Sequence, residues 1–83
     1  MRLAKYVKFR EEKFGGVLFE TRSEKVFTLN SAAAAIVREL EAGGDAREIA
    51  ARLKDLFDAA DGAVEREVAT FIADLRDKGL LEG

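Results

Sequence analysis

The first thirty residues read as strands. In Lys5-Tyr6-Val7-Lys8-Phe9-Arg10, Val7 and Phe9 alternate with Lys8 and Arg10, which gives one apolar and one charged face and predicts a strand near 5–10. Phe14-Gly15-Gly16 breaks the pattern, and two adjacent glycines predict a turn or bulge there. Val17-Leu18-Phe19 begins again as a strand near 16–20, Thr21–Glu24 is a polar connector of hairpin length, and Val26-Phe27-Thr28-Leu29 predicts a third strand near 25–29. A three-stranded antiparallel meander follows from this order.

From residue 30 the period lengthens to that of a helix. Asn30 and Ser31 are both N-cap candidates, Ala33, Ile36, Val37 and Leu40 follow at i, i+3, i+4 and i+7, and Gly43-Gly44 stops the run. The small side chains of Ala32–Ala35 permit close packing or serve helix propensity alone. Asp45-Ala46-Arg47-Glu48 has capping-box spacing and opens a helix over 45–57, with Ile49, Leu53, Leu56 and Phe57 on one face. After the link Asp58–Gly62, the stripe Val64, Val68, Phe71, Ile72 and Leu75 predicts a third helix over 63–78, closed by Lys78-Gly79, with Leu80 and Leu81 folding back onto the core. The fold class expected is α+β, winged helix-turn-helix-like: a three-stranded antiparallel β-meander followed by three α-helices, in one domain spanning 1–83.

Composition narrows the function. The 83 residues contain no Cys, His, Pro or Trp, which removes thiolate nucleophiles, disulfides, the commonest metal ligand and the usual neutral-pH base. Carboxylates are the remaining catalytic material: Glu11-Glu12, Glu39/Glu41, Asp55/Asp58, Asp58/Asp61, Glu65/Glu67 and Asp74/Asp77. They are interleaved with Lys and Arg at helical spacing, as in Asp74 and Lys78, which describes solvated helix faces rather than a metal loop or an acid/base pair. The glycine doublets lack the spacing of a phosphate loop. The Phe residues at 9, 14, 19, 27, 57 and 71 are expected in the core, with Phe14 or Tyr6 the candidates for an exposed anchor. No enzymatic activity, cofactor or metal is expected.

Charge discriminates further. Residues 1–30 carry 7 basic and 4 acidic groups, whereas residues 31–83 carry 7 and 12, so the net −2 hides a cationic strand region and an acidic helical region. A winged-helix DNA-binding regulator is the rival reading of such a fold. It needs cations on a recognition helix. Residues 45–57 sum to zero and residues 63–78 to −1, so no nucleic-acid partner is expected. No apolar run reaches a membrane span, and the beginning of the chain lacks the apolar stretch of a signal peptide, so a cytoplasmic protein without a membrane partner is expected.

The succession Val7-Lys8-Phe9-Arg10-Glu11-Glu12, Gly16-Val17-Leu18-Phe19, Leu29-Asn30-Ser31-Ala32-Ala33-Ala34-Ala35-Ile36, Ile49-Ala50-Ala51-Arg52-Leu53 and Val64…Val68…Phe71…Leu75…Lys78-Gly79-Leu80-Leu81 resembles the PqqD-like family. These are small peptide chaperones, or recognition elements, of ribosomally made and post-translationally modified peptides. Its most specific pieces here are Leu-Asn-x-x-Ala-x-x-Ile at 29–36 and Leu-x-x-x-Gly-Leu-Leu at 75–81. The resemblance implies a non-enzymatic chaperone that binds the leader of a precursor peptide by strand addition to the third strand and presents it to a radical S-adenosylmethionine maturase.

On this sequence the implied edge is Lys25, Val26, Phe27, Thr28 and Leu29, with Phe27 and Leu29 toward the core and Val26 and Thr28 on the opposite face. Glu67, Thr70, Phe71 and Asp74 are the implied groove wall, with Val64 or Val68 at its base. Lys25 and Arg22 are candidates to meet acidic leader residues or to stand as solvated hairpin charges. The unpaired edge also admits self-association, so a monomer or weak dimer is expected.

Overall fold

The computed structural model describes residues 1–55 and 62–82. Its order is β1 (Arg2–Leu3), β2 (Val7–Glu12), β3 (Gly15–Glu20), β4 (Lys25–Asn30), α1 (Ser31–Ala42), α2 (Ala46–Lys54), α3 (Ala63–Asp77) and β5 (Leu81–Glu82). The expected antiparallel meander is present as the sheet β2-β3-β4, and three helices follow it in an α+β fold.

Alternation along the strands sorts their faces. Phe9, Leu18 and Phe27 stand opposite one another across the three strands, as do Glu11, Gly16 and Leu29. Leu18 is fully buried and Leu29 is 6% exposed, so this face carries the core. The opposite face bears Lys8, Phe19 and Val26 in one row and Arg10, Val17 and Thr28 in the next. Phe19 belongs to this outer face and is 37% exposed, against the expectation of a core phenylalanine. Phe14 is also outside the core, at the hairpin tip, and Phe57 lies outside the described residues, as does Leu56.

The first hairpin corrects the expected turn. Glu12 pairs with Gly15, leaving Lys13-Phe14 as a two-residue loop, and both glycines belong to β3. Their role is close approach. A Cβ on Gly15, whose φ is +145°, would stand 2.2 Å from the Leu29 carbonyl oxygen, and one on Gly16 would meet the Phe9 ring at 2.7 Å and Ala34 Cβ at 3.4 Å. The small residues of β3 and α1 therefore let helix and sheet pack directly, which answers the question left by the alanine run. The first strand of the meander runs from Val7, later than the expected 5–10, and the Val7 N–H donates to the Ala4 carbonyl in the turn that precedes it.

Helix ends follow the residue types. Asn30 caps α1 through its Oδ1 and the Ala33 N–H at 2.8 Å. Asp45 and Glu48 form a reciprocal capping box on α2. At the end of α3, the Leu80 N–H reaches the Leu75 carbonyl and the Gly79 N–H that of Arg76, with Gly79 at φ +74°, a Schellman arrangement that turns Leu80 into the core. Beyond it, Leu81–Glu82 pairs antiparallel with Arg2–Leu3 in a short second sheet that the alternation pattern did not predict. Among the described residues no charged or polar residue is buried.

Candidate functional site

The sheet has two outer edges, β2 and β4, and the hydrogen-bond phase decides which backbone groups each presents. The Thr21 N–H donates to the Tyr6 carbonyl at 2.8 Å, which makes Tyr6 and Thr21 a hydrogen-bonded pair one step beyond the Val7–Glu20 register. In an antiparallel ladder such pairs alternate with non-bonded ones. Lys8–Phe19, Arg10–Val17 and Glu12–Gly15 are therefore bonded pairs, and Phe19, Val17 and Gly15 direct their N–H and C=O toward β2. Glu20, Leu18 and Gly16 must then bond across to Lys25, Phe27 and Leu29. By the same alternation the N–H and C=O of Val26 and Thr28 point away from the sheet. Of the five edge residues singled out from sequence, two present backbone groups outward and three are held by β3.

Grooves accompany the β4 edge. A groove of about 400 Å³ runs between β4 and α3, lined by Leu18, Val26, Phe27, Thr28, Leu29, Phe71, Asp74, Leu75, Lys78 and Leu80. It continues past Phe71 and Asp74 into a second groove of about 640 Å³ between α1 and α3, lined also by Asn30, Ala32, Ala33, Ile36, Arg66, Glu67 and Thr70. Phe71 and Asp74 border both. The α1–α3 groove is mainly apolar, the β4–α3 groove mixes apolar side chains with polar groups, and Lys78 Nζ meets Asp74 Oδ1 there at 2.5 Å.

The helix spacing explains the wall. Glu67, Thr70, Phe71 and Asp74 stand at i, i+3, i+4 and i+7 on one flank of α3, and all four line the α1–α3 groove. Val64 and Val68 belong to the neighbouring stripe, are 7% and 1% exposed, and pack in the core without lining either groove. The contribution of α1, Ala32, Ala33 and Ile36, and of its cap Asn30 escaped the sequence reading. The alanine run was its only signal.

The loop joining β3 to β4 is preorganised by Glu20. Its carboxylate accepts from the N–H of Arg22 at 2.9 Å and of Ser23 at 3.3 Å, and from the Ser23 hydroxyl. The Ser23 hydroxyl and the two N–H groups hold its pKa below the usual carboxylate value. Glu65, at the first turn of α3, is also lowered, by its own backbone N–H and by Lys54 at 3.2 Å. Other carboxylates considered as catalytic pairs stand in exposed ion pairs, Glu11 with Arg38, Glu12 with Arg10 and Glu39 with Arg52. Asp58 and Asp61 lie outside the described residues. Among the described residues no cluster of three or more acidic side chains is placed to hold a metal ion, and no helix is long and apolar enough to cross a membrane.

Comparison with known proteins bears on the family and the fold. The family model of coenzyme PQQ synthesis protein D (PqqD) matches residues 15–81. Among solved structures, the chain is similar to TbiB1 in complex with the TbiA(beta) leader peptide, at 26% identity and a TM-score of 0.89, covering 100% of this chain and 96% of that one. It is similar also to a lasso peptide synthetase B1 complexed with the leader peptide, at 27% identity and a TM-score of 0.85, covering 99% and 96%. No curated protein matches the chain.

Proposed function

The chain belongs to the PqqD family, and from that premise we propose that it is a non-enzymatic recognition domain that takes up the leader of a ribosomally made precursor peptide as a fourth strand on the edge of β4. The observation that carries this is the outward pair of backbone groups on Val26 and Thr28, placed beside a groove that runs along α3 past Phe71. Main-chain bonds to the edge supply affinity that is independent of leader sequence. Alternate leader side chains, those opposite Phe27 and Leu29, face α3 and supply selectivity. The task requires no nucleophile, base or metal, which suits a chain without His or Cys.

Magnitudes fit moderate affinity. Val26 and Thr28 offer four bonds worth roughly 1 kcal/mol each, and two apolar leader side chains buried in the groove add about 2 kcal/mol each. That total is near the value of about 8 kcal/mol for a micromolar complex, before the cost of ordering a flexible peptide. Well-filled apolar pockets are therefore required for tighter capture.

The recipient of the leader is a modifying enzyme in the cytoplasm, and the PqqD resemblance supports a radical S-adenosylmethionine maturase. The likeness to B1 proteins favours a second reading, in which the recipient is another component of a lasso peptide synthetase. Reconstitution separates the two: the recipient is the enzyme whose action on the precursor depends on this chain. Leader capture itself is tested by titrating labelled protein with the leader of the precursor encoded beside it. Amide shifts concentrated in residues 25–30 and 64–75 are expected, and an unchanged spectrum at high micromolar peptide contradicts the proposal.

A further inference from the structure

Tyr6 lies outside both grooves yet is bonded to the loop that leads into β4 and to the turn that follows α3. Its carbonyl accepts from the Thr21 N–H at 2.8 Å and the Thr21 hydroxyl at 2.9 Å, and the Arg22 guanidinium sits 3.4 Å above its ring centroid. These contacts hold the loop that turns β3 into β4, four residues before the Val26 edge. Its hydroxyl donates to the Gly79 carbonyl at 2.5 Å, in the turn that closes α3. The next residue, Leu80, is pinned through its N–H to Leu75 and through its carbonyl to the Ala4 N–H at 2.9 Å, and it lines the β4–α3 groove together with Leu75 and Lys78. One residue therefore ties the root of the strand wall to the root of the helix wall, its main chain bonding Thr21 and its side chain meeting Arg22 and Gly79.

We propose that Tyr6 is a positioning residue for peptide capture, whose hydroxyl bridge to Gly79 sets the spacing between the β4 edge and α3. The proposal rests on the strand-addition reading above and adds the element that keeps the groove at the width of an extended chain. An added strand must satisfy two geometries at once, roughly 4.8 Å from β4 for its hydrogen bonds and van der Waals contact with α3 for its side chains. A groove free to widen satisfies one at the expense of the other. The Schellman bonds of Gly79 and Leu80 fix the turn to α3, and the phenolic hydroxyl on the Gly79 carbonyl adds a restraint from the residue that also holds the β3–β4 loop.

Tyr6→Phe removes the bridge and keeps the ring under Arg22. In the free protein the expected result is a change in amide shifts and exchange at Gly79 and Leu80 together with Val26 and Thr28. Affinity for a synthetic peptide spanning the leader of the adjacent precursor is expected to fall by up to roughly fivefold, because binding must re-close a groove that has lost a bond worth about 1 kcal/mol. Asp45→Ala, which removes the α2 cap outside both grooves, serves as a variant of comparable stability loss whose affinity stays at the wild-type value. The proposal is overturned by a Tyr6→Phe protein that binds as wild type, by equal losses in both variants, or by amide changes confined to residues 79–80. Absence of leader binding by the wild-type chain counts against the strand-addition reading instead, and the free-protein amide pattern then still decides whether Tyr6 couples the two walls.

Discussion

Replacing Thr28 by proline removes a backbone donor from the outer edge of β4 while leaving the bonds between β3 and β4 in place. Thr28 is exposed, its side chain lies on the outer face, and its N–H points away from β3 by the phase of the ladder. Proline is tolerated where an edge N–H faces solvent, and the preceding residue, Phe27, already has the extended backbone that proline demands. Leader binding suffers twice, because one bond is lost and the peptide carbonyl that would have accepted it is left buried without a donor. The cost runs from about 1 to about 3 kcal/mol, so affinity falls roughly 5- to 150-fold. Isothermal titration with the leader peptide measures this, and circular dichroism checks that the fold persists. Glu11→Pro supplies the control, since Glu11 also directs its N–H outward but on β2, away from both grooves. A folded Thr28→Pro protein that binds as tightly as wild type, or an equal loss in Glu11→Pro, refutes the reasoning.

Three further outcomes follow from named contacts. Phe71→Ala empties the junction of the two grooves and is expected to weaken leader binding at least tenfold, while its cost in stability, read from urea unfolding, stays below the roughly 3–5 kcal/mol of a fully buried phenylalanine because Phe71 is only half-buried. Gly15→Ala drives a Cβ into the Leu29 carbonyl, and a loss of more than about 2 kcal/mol is expected by the same unfolding assay, from overpacking and a strained φ together. The Glu20 carboxylate, held below its ordinary value of 4.5, contributes stability that is complete above that value and is lost as pH falls through its lowered folded value. NMR titration should therefore show the Arg22 and Ser23 amides moving together with the Glu20 carboxyl below the ordinary carboxylate range, and Glu20→Gln should remove that dependence.

Alternation and helical period made most of this architecture legible. Val7, Phe9, Phe27 and Leu29 fell on the core face as their spacing required, and Asn30, Asp45 and Gly79 marked helix ends through side-chain and backbone chemistry that is local. The run Val17-Leu18-Phe19 was ambiguous, because three consecutive apolar residues do not declare a face, and Phe19 fell outside. Gly15 and Gly16 resembled turn glycines, since nothing local reveals that β4 and α1 approach them. The pairing of Arg2–Leu3 with Leu81–Glu82 joins segments too short to carry a period. At the site, the β4 edge and the Glu67–Asp74 flank were implied by the family resemblance, whereas the α1 wall depends on where α3 comes to rest, which is a property of the packed molecule.

The central claim is that the leader joins the sheet at β4, and amide hydrogen exchange measured residue by residue with and without saturating leader peptide tests it most directly. In the free protein the Val26 and Thr28 amides, which face outward, should exchange fast while Phe27 and Leu29 are protected by β3. Addition of leader should protect Val26 and Thr28 and leave Phe9 and Glu11, on the edge of β2, unchanged. Protection at the β2 edge, or bound leader with Val26 and Thr28 still exchanging freely, contradicts the account.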